Sequence, residues 1–121
     1  MATILIVDDS RFSRNTFRKA LSSEGYEILE AVDGREGLEM IRKHQPDCVL
    51  LDMLMPELNG NEVLEVLHEQ GIEVPVIIVT ADIQEHTQAR CFELGAKAFL
   101  NKPAKNGELQ QAIQTVLSSS A

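Results

Sequence analysis

Short apolar runs alternate with longer amphipathic segments along the whole chain. The runs are four to six residues long, and the segments between them are ten to fourteen. This alternation is typical of repeated βα units and therefore of a parallel sheet. The pattern predicts strands over 3–8, 26–31, 47–52, 74–79 and 97–101, and helices over 11–23, 34–44, 60–70, 84–94 and 106–118. We therefore expect an α/β fold with five strands and five helices.

Residues at the ends of the predicted helices support these boundaries. A glycine follows three of the helices, where a left-handed residue is often required, and a residue suited to the N-cap precedes two. These residues are Gly25, Gly71 and Gly95, and Asp33 and Asn59. The last predicted helix repeats apolar residues at helical spacing between 109 and 117, which indicates one buried face.

Short connections and right-handed crossovers leave few topologies for five such units. We favour a doubly wound sheet with the strand order 2-1-3-4-5. This order reverses direction beside the first strand, and it brings Asp8, Asp9 and Asp52 to adjacent strand ends. Ligands of open α/β sheets bind in the crevice outside those ends.

Length and charge restrict the classes of function. The 121 residues fit one domain, which we expect to span 1–121 and to leave no room for an output domain. The net charge of −8 argues against direct nucleic-acid binding, because such binding relies on Lys and Arg to neutralise phosphates. No apolar run is long enough for a signal peptide or for membrane insertion. The sequence therefore predicts a cytoplasmic protein with protein partners.

Polar residues that suit phosphoryl chemistry follow four of the predicted strands. Asp8 and Asp9 follow the first strand, Asp52 ends the third, and Thr80 and Lys102 follow the fourth and fifth. Crowded carboxylates repel one another unless a hard cation and a lysine neutralise them. The combination predicts a site for Mg²⁺ and for an anionic group.

Asp52 is the predicted nucleophile of this site. An ordinary aspartate is ionised at neutral pH and needs no general base to attack phosphorus, so the product would be an aspartyl phosphate. Asp8 and Asp9 would supply oxygen ligands to Mg²⁺. Lys102 and Thr80 would lie beside the phosphoryl group, and the backbone N–H of Ala81 would donate to it.

The cysteines and histidines show no spacing that indicates a metal site. Cys48 and Cys91 lie far apart and are predicted to be buried, reduced and inert. His44, His68 and His86 fall on three different predicted helices, where we expect solvated side chains.

Four segments of the sequence resemble the signature segments of response-regulator receiver domains. They are Ile4-Leu5-Ile6-Val7-Asp8-Asp9-Ser10, the segment from Leu51 to Gly60, Val79-Thr80-Ala81 and Asn101-Lys102-Pro103. The resemblance covers essentially the whole chain, and it is greatest to the single-domain, chemotaxis-type regulators. It implies a flavodoxin-like fold and transfer of a phosphoryl group to Asp52 from the phosphohistidine of a histidine kinase or of a histidine phosphotransfer protein.

The resemblance also implies roles for individual residues. Mg²⁺ would be held by Asp9, Asp52 and the backbone carbonyl of Leu54, and by Asp8 through a water molecule. Thr80 would move toward the phosphoryl group while Phe99, which is tyrosine in many chemotaxis regulators, turns inward. The surface of helix 4, strand 5 and helix 5 would then change its affinity for a downstream protein. In the family the Lys-Pro bond is commonly cis, and Lys102-Pro103 is its place in this chain, but the sequence leaves the isomer open.

Two further positions tune the phosphoryl lifetime in the family, and here they are Leu54 and Asp82. Leu54 cannot orient a hydrolytic water, so we expect slow self-hydrolysis. Asp82 would repel the phosphoryl anion or position water, and its effect stays open. The protein would assist its own phosphorylation and dephosphorylation without being a stand-alone turnover enzyme.

Three other classes of protein fit parts of the pattern. An aspartate-nucleophile phosphohydrolase usually carries two aspartates two residues apart on its first strand, whereas this chain has adjacent Asp8 and Asp9. A flavin-binding module needs hydroxyls and glycines at the place that these carboxylates occupy. The third class, a phosphorylation-independent adaptor, has no use for an intact acidic cluster.

Overall fold

A single parallel sheet with the strand order β2-β1-β3-β4-β5 organises the computed structural model of the chain. The structure describes residues 2–81 and 84–119. The strands are β1 (Thr3–Val7), β2 (Glu27–Ala31), β3 (Cys48–Leu51), β4 (Val76–Thr80) and β5 (Ala98–Asn101). The helices are α1 (Arg11–Ser22), α2 (Gly34–His44), α3 (Gly60–Glu69), α4 (Glu85–Glu93) and α5 (Asn106–Ser119). The predicted doubly wound topology is therefore confirmed.

Helices cover both faces of the sheet, because alternate strand residues point to opposite sides. On one face, Leu5, Leu51 and Ile78 of the strands pack against α2, α3 and α4. On the other face, Ile6 and Leu50 pack against α1 and α5. The central strands β1, β3 and β4 are almost wholly buried, as a parallel sheet between two helical layers requires.

The strands begin and end slightly differently from the prediction. β4 starts at Val76 because Pro75 has no N–H for the ladder, although its carbonyl accepts from Val49 N. Asp8 and Asp52 lie just beyond β1 and β3, but each backbone N–H still donates to the neighbouring strand. The ladder therefore holds both aspartates at the edge while their side chains are free to turn toward one another.

The helix ends agree with the sequence signals. The side chains of Asp33 and Asn59 cap α2 and α3, and Asn59 forms a capping box with Glu62. The three glycines predicted to follow helices, Gly25, Gly71 and Gly95, all have positive φ. Within the parts of the chain that the structure describes, no helix combines the length and hydropathy needed to cross a bilayer.

Gly60 allows the start of α3 to lie against the segment that carries Asp52. A Cβ atom built on Gly60 would overlap the carbonyl oxygen of Asp52 and approach Met53 Cα to 2.8 Å. The backbone N–H of Gly60 also donates to the Met53 carbonyl at 3.1 Å. The backbone has little room to yield, so a side chain at residue 60 would displace the Asp52 segment.

We predict that Gly60→Ala lowers the free energy of unfolding by about 1–3 kcal/mol, as overpacking of a close contact typically does. Gly107→Ala is the matched control, because a Cβ there meets no atom within 4 Å. This control should be neutral or stabilise the protein by up to about 1 kcal/mol. Urea unfolding followed by circular dichroism measures both, and equal stability of the two variants would contradict the packing argument.

Both cysteines are free and buried, as predicted. Burial raises the pKa of the Cys48 thiol to about 12, and the Cys91 sulfur lies 3.6 Å from the Met53 sulfur. A thiol with a pKa near 12 is only about one part in ten thousand thiolate at pH 8. Both cysteines therefore lack the exposure of a reactive residue, and Cys48 also lacks its thiolate character.

We expect the native protein to react very slowly with Ellman's reagent at pH 8 and to release two equivalents of thiol in urea. The time course of absorbance at that pH measures the difference. Rapid reaction of one or two thiols in the folded protein would show that the core opens readily around Cys48 or Cys91.

Candidate functional site

Three carboxylates meet at the carboxyl edge of the sheet. One oxygen from each of Asp8, Asp9 and Asp52 lies within 4.8 Å of the other two. Asp8 is 1% exposed and Asp52 is 6% exposed, whereas Asp9 is open to solvent. The structure thus brings together the three aspartates singled out in the sequence, two of them in an environment where ionised carboxylates need partners.

Backbone amides fix one oxygen of each buried carboxylate. Ser10 N donates to Asp8 Oδ1 at 2.9 Å, and Leu54 N donates to Asp52 Oδ1 at 3.2 Å. Both bonds run from an amide two residues further along the chain, which is the local geometry that aspartate favours in turns. The remaining oxygens, Asp8 Oδ2 and Asp52 Oδ2, are directed toward Lys102.

Lys102 places its ammonium group between the two buried carboxylates. Nζ lies 2.6 Å from Asp8 Oδ2 and 2.9 Å from Asp52 Oδ2. It also lies 3.3 Å from the hydroxyl of Ser13 on α1. The Lys102 backbone N–H donates to the Thr80 carbonyl at 2.8 Å, and the Lys102-Pro103 peptide, whose isomer the sequence left open, is cis.

The charges at this edge do not balance. Burial raises the pKa of Asp8, and the hydrogen bonds from Lys102 and Ser10 offset this effect only in part. The pKa of Lys102 is also raised, because its bonds to Asp8 and Asp52 outweigh the cost of burying the ammonium. The raised pKa of Asp8 favours a proton on the carboxyl group, whereas the raised pKa of Lys102 favours keeping the proton on the amine. Because Nζ lies only 2.6 Å from Asp8 Oδ2, we assign the pair as carboxylate and ammonium. One cation against three carboxylates leaves a site that attracts further positive charge.

Thr80 and Phe99 lie on adjacent strands on the same side of the sheet. Thr80 is the last residue of β4 and is wholly buried. Ile78 is the register partner of Phe99, and Thr80 follows Ile78 by two residues, so all three face the same layer of helices. Phe99 is partly buried and packs against the core beside α2, α3 and α4.

The other predicted site residues are Leu54, Ala81 and Asp82, which follow Asp52 or β4 closely in the sequence. Leu54 follows Asp52 by two residues, and it is 60% exposed. Ala81 directly follows β4 and is exposed. Asp82 lies outside the described residues.

His44, His68 and His86 are exposed on their helices, as expected for solvated side chains.

Sequence reasoning missed three residues around the site. Ser13 contacts Lys102, and Arg14 donates from Nη1 to the Asp8 carbonyl at 2.8 Å while Nε pairs with Glu30 at 3.0 Å. Ser13 and Arg14 lie in the first turn of a helix that starts shortly after Asp8 and Asp9, and this position was the sequence signal that could have pointed to them. The β2 partner Glu30 could not be found without the strand register.

The comparisons with known proteins agree with this geometry. The chain matches the family model of the response regulator receiver domain over residues 4–114. Response regulator MprA of Mycolicibacterium vanbaalenii is 38% identical over 114 residues, which make up 94% of this chain and 49% of MprA. The chain spans about half the length of the curated relatives it matches.

Solved structures show the same architecture. The receiver domain of Francisella response regulator 1452 has a TM-score of 0.94 at 26% identity, with 100% of both chains covered. Vibrio cholerae chemotaxis protein CheY4 has a TM-score of 0.89 at 31% identity, with 97% of this chain and 99% of that chain covered. With the family model matched over most of its length, the chain belongs to the response-regulator receiver domains of two-component signalling.

Proposed function

We propose that the protein is a phosphorylation-activated switch whose acceptor is Asp52. The observation that carries this proposal is the position of Lys102 Nζ, 2.6 Å from Asp8 and 2.9 Å from Asp52 beside a third carboxylate. Burying such a cluster costs stability, so we infer that its charges have a use. Transfer of a phosphoryl group gives them one, because that reaction depends on positioning and on neutralising the charge of the oxygens.

The donor is a phosphohistidine on a histidine kinase or a histidine phosphotransfer protein. An oxygen of the Asp52 carboxylate attacks phosphorus, the nitrogen–phosphorus bond of the donor breaks, and an acyl phosphate forms. The imidazole nitrogen keeps the electron pair of the broken bond and takes up a proton. Asp52 is 6% exposed, so the labile product would be shielded from bulk water.

Mg²⁺ is the cofactor that the donor set fits. Asp8, Asp9, Asp52 and the backbone carbonyl of Leu54 would hold it, and three of these ligands already lie within 4.8 Å of one another. All four donors are hard oxygens, which Mg²⁺ prefers. When bound, the ion neutralises negative charge on the transferred group and on the carboxylates.

Lys102, Thr80 and Ala81 would contact the phosphoryl oxygens. In the structure the lysine already bonds to Asp52 Oδ2, so a short movement of its flexible side chain would carry the ammonium to an oxygen on the new group. Thr80 lies one hydrogen bond away along the backbone, through the Lys102 N–H. The Ala81 N–H would be a further donor.

The output of the switch would be the surface of α4, β5 and α5. Thr80 moving toward the phosphoryl group would leave space that Phe99 fills from the neighbouring strand. The two side chains share one face of the sheet, which supports this coupling. The partner that binds this surface is then a downstream protein. The net charge of −8 disfavours nucleic acid as a direct ligand of this domain.

The same residues suit a signalling protein better than a turnover enzyme. Asp52 follows the third strand, and no second aspartate follows it two residues later, as position 54 is leucine. We propose that the domain works in the cytoplasm without inserting into a membrane. It assists its own phosphorylation and dephosphorylation, and the lifetime of its acyl phosphate sets the length of the signal.

Incubation with acetyl phosphate and Mg²⁺ should add one phosphoryl group, about 80 Da, to the intact protein. Asp52→Asn should abolish the gain, because the amide is not a nucleophile. Asp33→Asn is the matched control: it makes the same substitution at an N-cap, where asparagine serves as well, and it should still be labelled. Intact-protein mass spectrometry measures all three, and an unlabelled wild-type protein that is folded would contradict the proposal.

Leu54→Asn should shorten the lifetime of the phosphoryl group. Leu54 is 60% exposed beside the acceptor, and an amide there would hydrogen-bond to an attacking water. A hydrogen bond of about 1 kcal/mol made only in the transition state gives about a fivefold faster loss.

Leu54→Ala separates this effect from simple access of water, because it removes the apolar side chain without adding a polar one. The decay of the labelled species, measured by mass spectrometry after removal of acetyl phosphate, gives the rate for each protein. Equal rates for Leu54→Asn and wild type would refute the role of residue 54.

A further inference from the structure

Arg14 connects the acidic site to the neighbouring strand β2. Its Nη1 donates to the backbone carbonyl of Asp8 at 2.8 Å, and its Nε pairs with Glu30 Oε1 at 3.0 Å. The Arg14 side chain is 13% exposed, so solvent screens these contacts only weakly. One rigid guanidinium thus holds two elements at fixed positions, which a single ammonium group cannot do in the same way.

The contact with Asp8 is made where the strand ladder ends. The Asp8 N–H still donates to Ala31, but β1 itself ends at Val7. The Asp8 carbonyl begins the peptide unit that leads to Asp9, so its direction determines where the exposed Asp9 side chain lies relative to Asp8. Arg14 is the group that the structure shows bonded to this carbonyl.

Arg18 provides an internal comparison one helical turn later. It pairs with the other oxygen of the same carboxylate, Glu30 Oε2, at 2.7 Å. Arg18 also reaches the Ile28 carbonyl at 3.4 Å, but within the described part of the chain the structure shows it bonded to Glu30 and Ile28 and not to Asp8, Asp9 or Asp52. The two arginines therefore share a partner and a charge, and they differ in whether they touch the backbone of the site.

We infer that Arg14, anchored by Glu30, is a positioning residue that sets the Mg²⁺ affinity of the Asp8-Asp9 pair. This inference rests on the proposed function, which assigns the metal to these aspartates. Groups that orient metal ligands typically change affinity by about 10–100-fold when they are removed. We expect the lower end, because Arg14 acts on a ligand's backbone and not on a carboxylate oxygen.

Charge alone would give the opposite result. A positive guanidinium repels Mg²⁺, so its removal would strengthen metal binding if Arg14 acted only through its charge. Glu30 lies 3.0 Å from Arg14, but it is shared with Arg18 and neutralises the Arg14 charge only in part. We expect the geometric effect to exceed the remaining repulsion, because Arg14 is bonded directly to the backbone of Asp8. The sign of the change in affinity therefore distinguishes the two roles.

The test is a titration of the folded protein with MgCl₂, followed by amide chemical shifts of Asp9, Ser10 and Leu54 in ¹H–¹⁵N spectra. Arg14→Gln should weaken Mg²⁺ binding about tenfold relative to wild type. Arg18→Gln, which removes the same charge from the same ion-pair network, should leave the affinity within about twofold of wild type. The dispersion of the spectra reports in the same experiment that each variant is folded.

If Arg14→Gln does not fold, Arg14→Lys replaces it and should also weaken binding, since it keeps the charge and loses the forked geometry. Tighter or unchanged binding by the residue 14 variant would overturn the inference, and so would equal weakening by Arg14→Gln and Arg18→Gln. A wild-type protein whose site amides do not respond to Mg²⁺ would overturn the proposed metal site itself. That result differs from a failure of the Arg14 argument alone, in which wild type binds normally.

Discussion

The structure of the functional edge depends on one ammonium group held between two buried carboxylates. Lys102 is separated in sequence from Asp8 by 94 residues and from Asp52 by 50, so only the complete sheet brings the three together. Asp8 and Asp52 come from adjacent strands, and the lysine reaches them from beyond β5 on its long side chain. If β5 did not pair with the sheet, Asp8 and Asp52 would be buried without the ammonium group of Lys102. An uncompensated buried charge is strongly destabilising.

Both oxygens of each buried aspartate have hydrogen-bond partners in the structure. Lys102 satisfies one oxygen of each aspartate, and backbone amides of Ser10 and Leu54 satisfy the other. Among the described residues, no buried side-chain nitrogen or oxygen is left without a partner. In our proposal a metal ion takes over part of this neutralisation, which frees the ammonium for the phosphoryl group. The resting contacts and the activated contacts then share the same few atoms.

The coupling of the site to the rest of the domain follows from the same sheet. Lys102 and Thr80 are joined by a backbone hydrogen bond, and the register of β4 and β5 puts Phe99 on the same face as Thr80. A change at the acceptor would therefore reach β5 by contacts within two adjacent strands. Arg14 connects the site to the opposite edge of the sheet, through Glu30 on β2. In our proposal it changes the Mg²⁺ affinity of Asp8 and Asp9 and does not affect the surface of α4, β5 and α5.

Much of this could be predicted from the sequence, because the relevant signals are local. Apolar runs, helix caps and glycines with positive φ gave the elements, and parallel strands necessarily bring Asp8, Asp52 and Lys102 to one edge. The contacts of Ser13 and Arg14 could not be predicted, since a helical residue near the site faces it only if the helix docks at one particular rotation. Glu30 on the partly buried edge strand looked like any other polar residue. Those contacts depend on tertiary packing, which periodicity does not encode.

The most direct test of the central claim is the binding of beryllofluoride, a mimic of the phosphoryl group, measured by ¹⁹F NMR. We expect a bound fluoride signal that requires both the intact Asp52 carboxylate and Mg²⁺. Replacing Asp52 with asparagine or omitting the metal should each remove it. A bound signal that persists without Mg²⁺ or in the Asp52→Asn protein, or no bound signal in the folded wild type with Mg²⁺ present, would contradict the account.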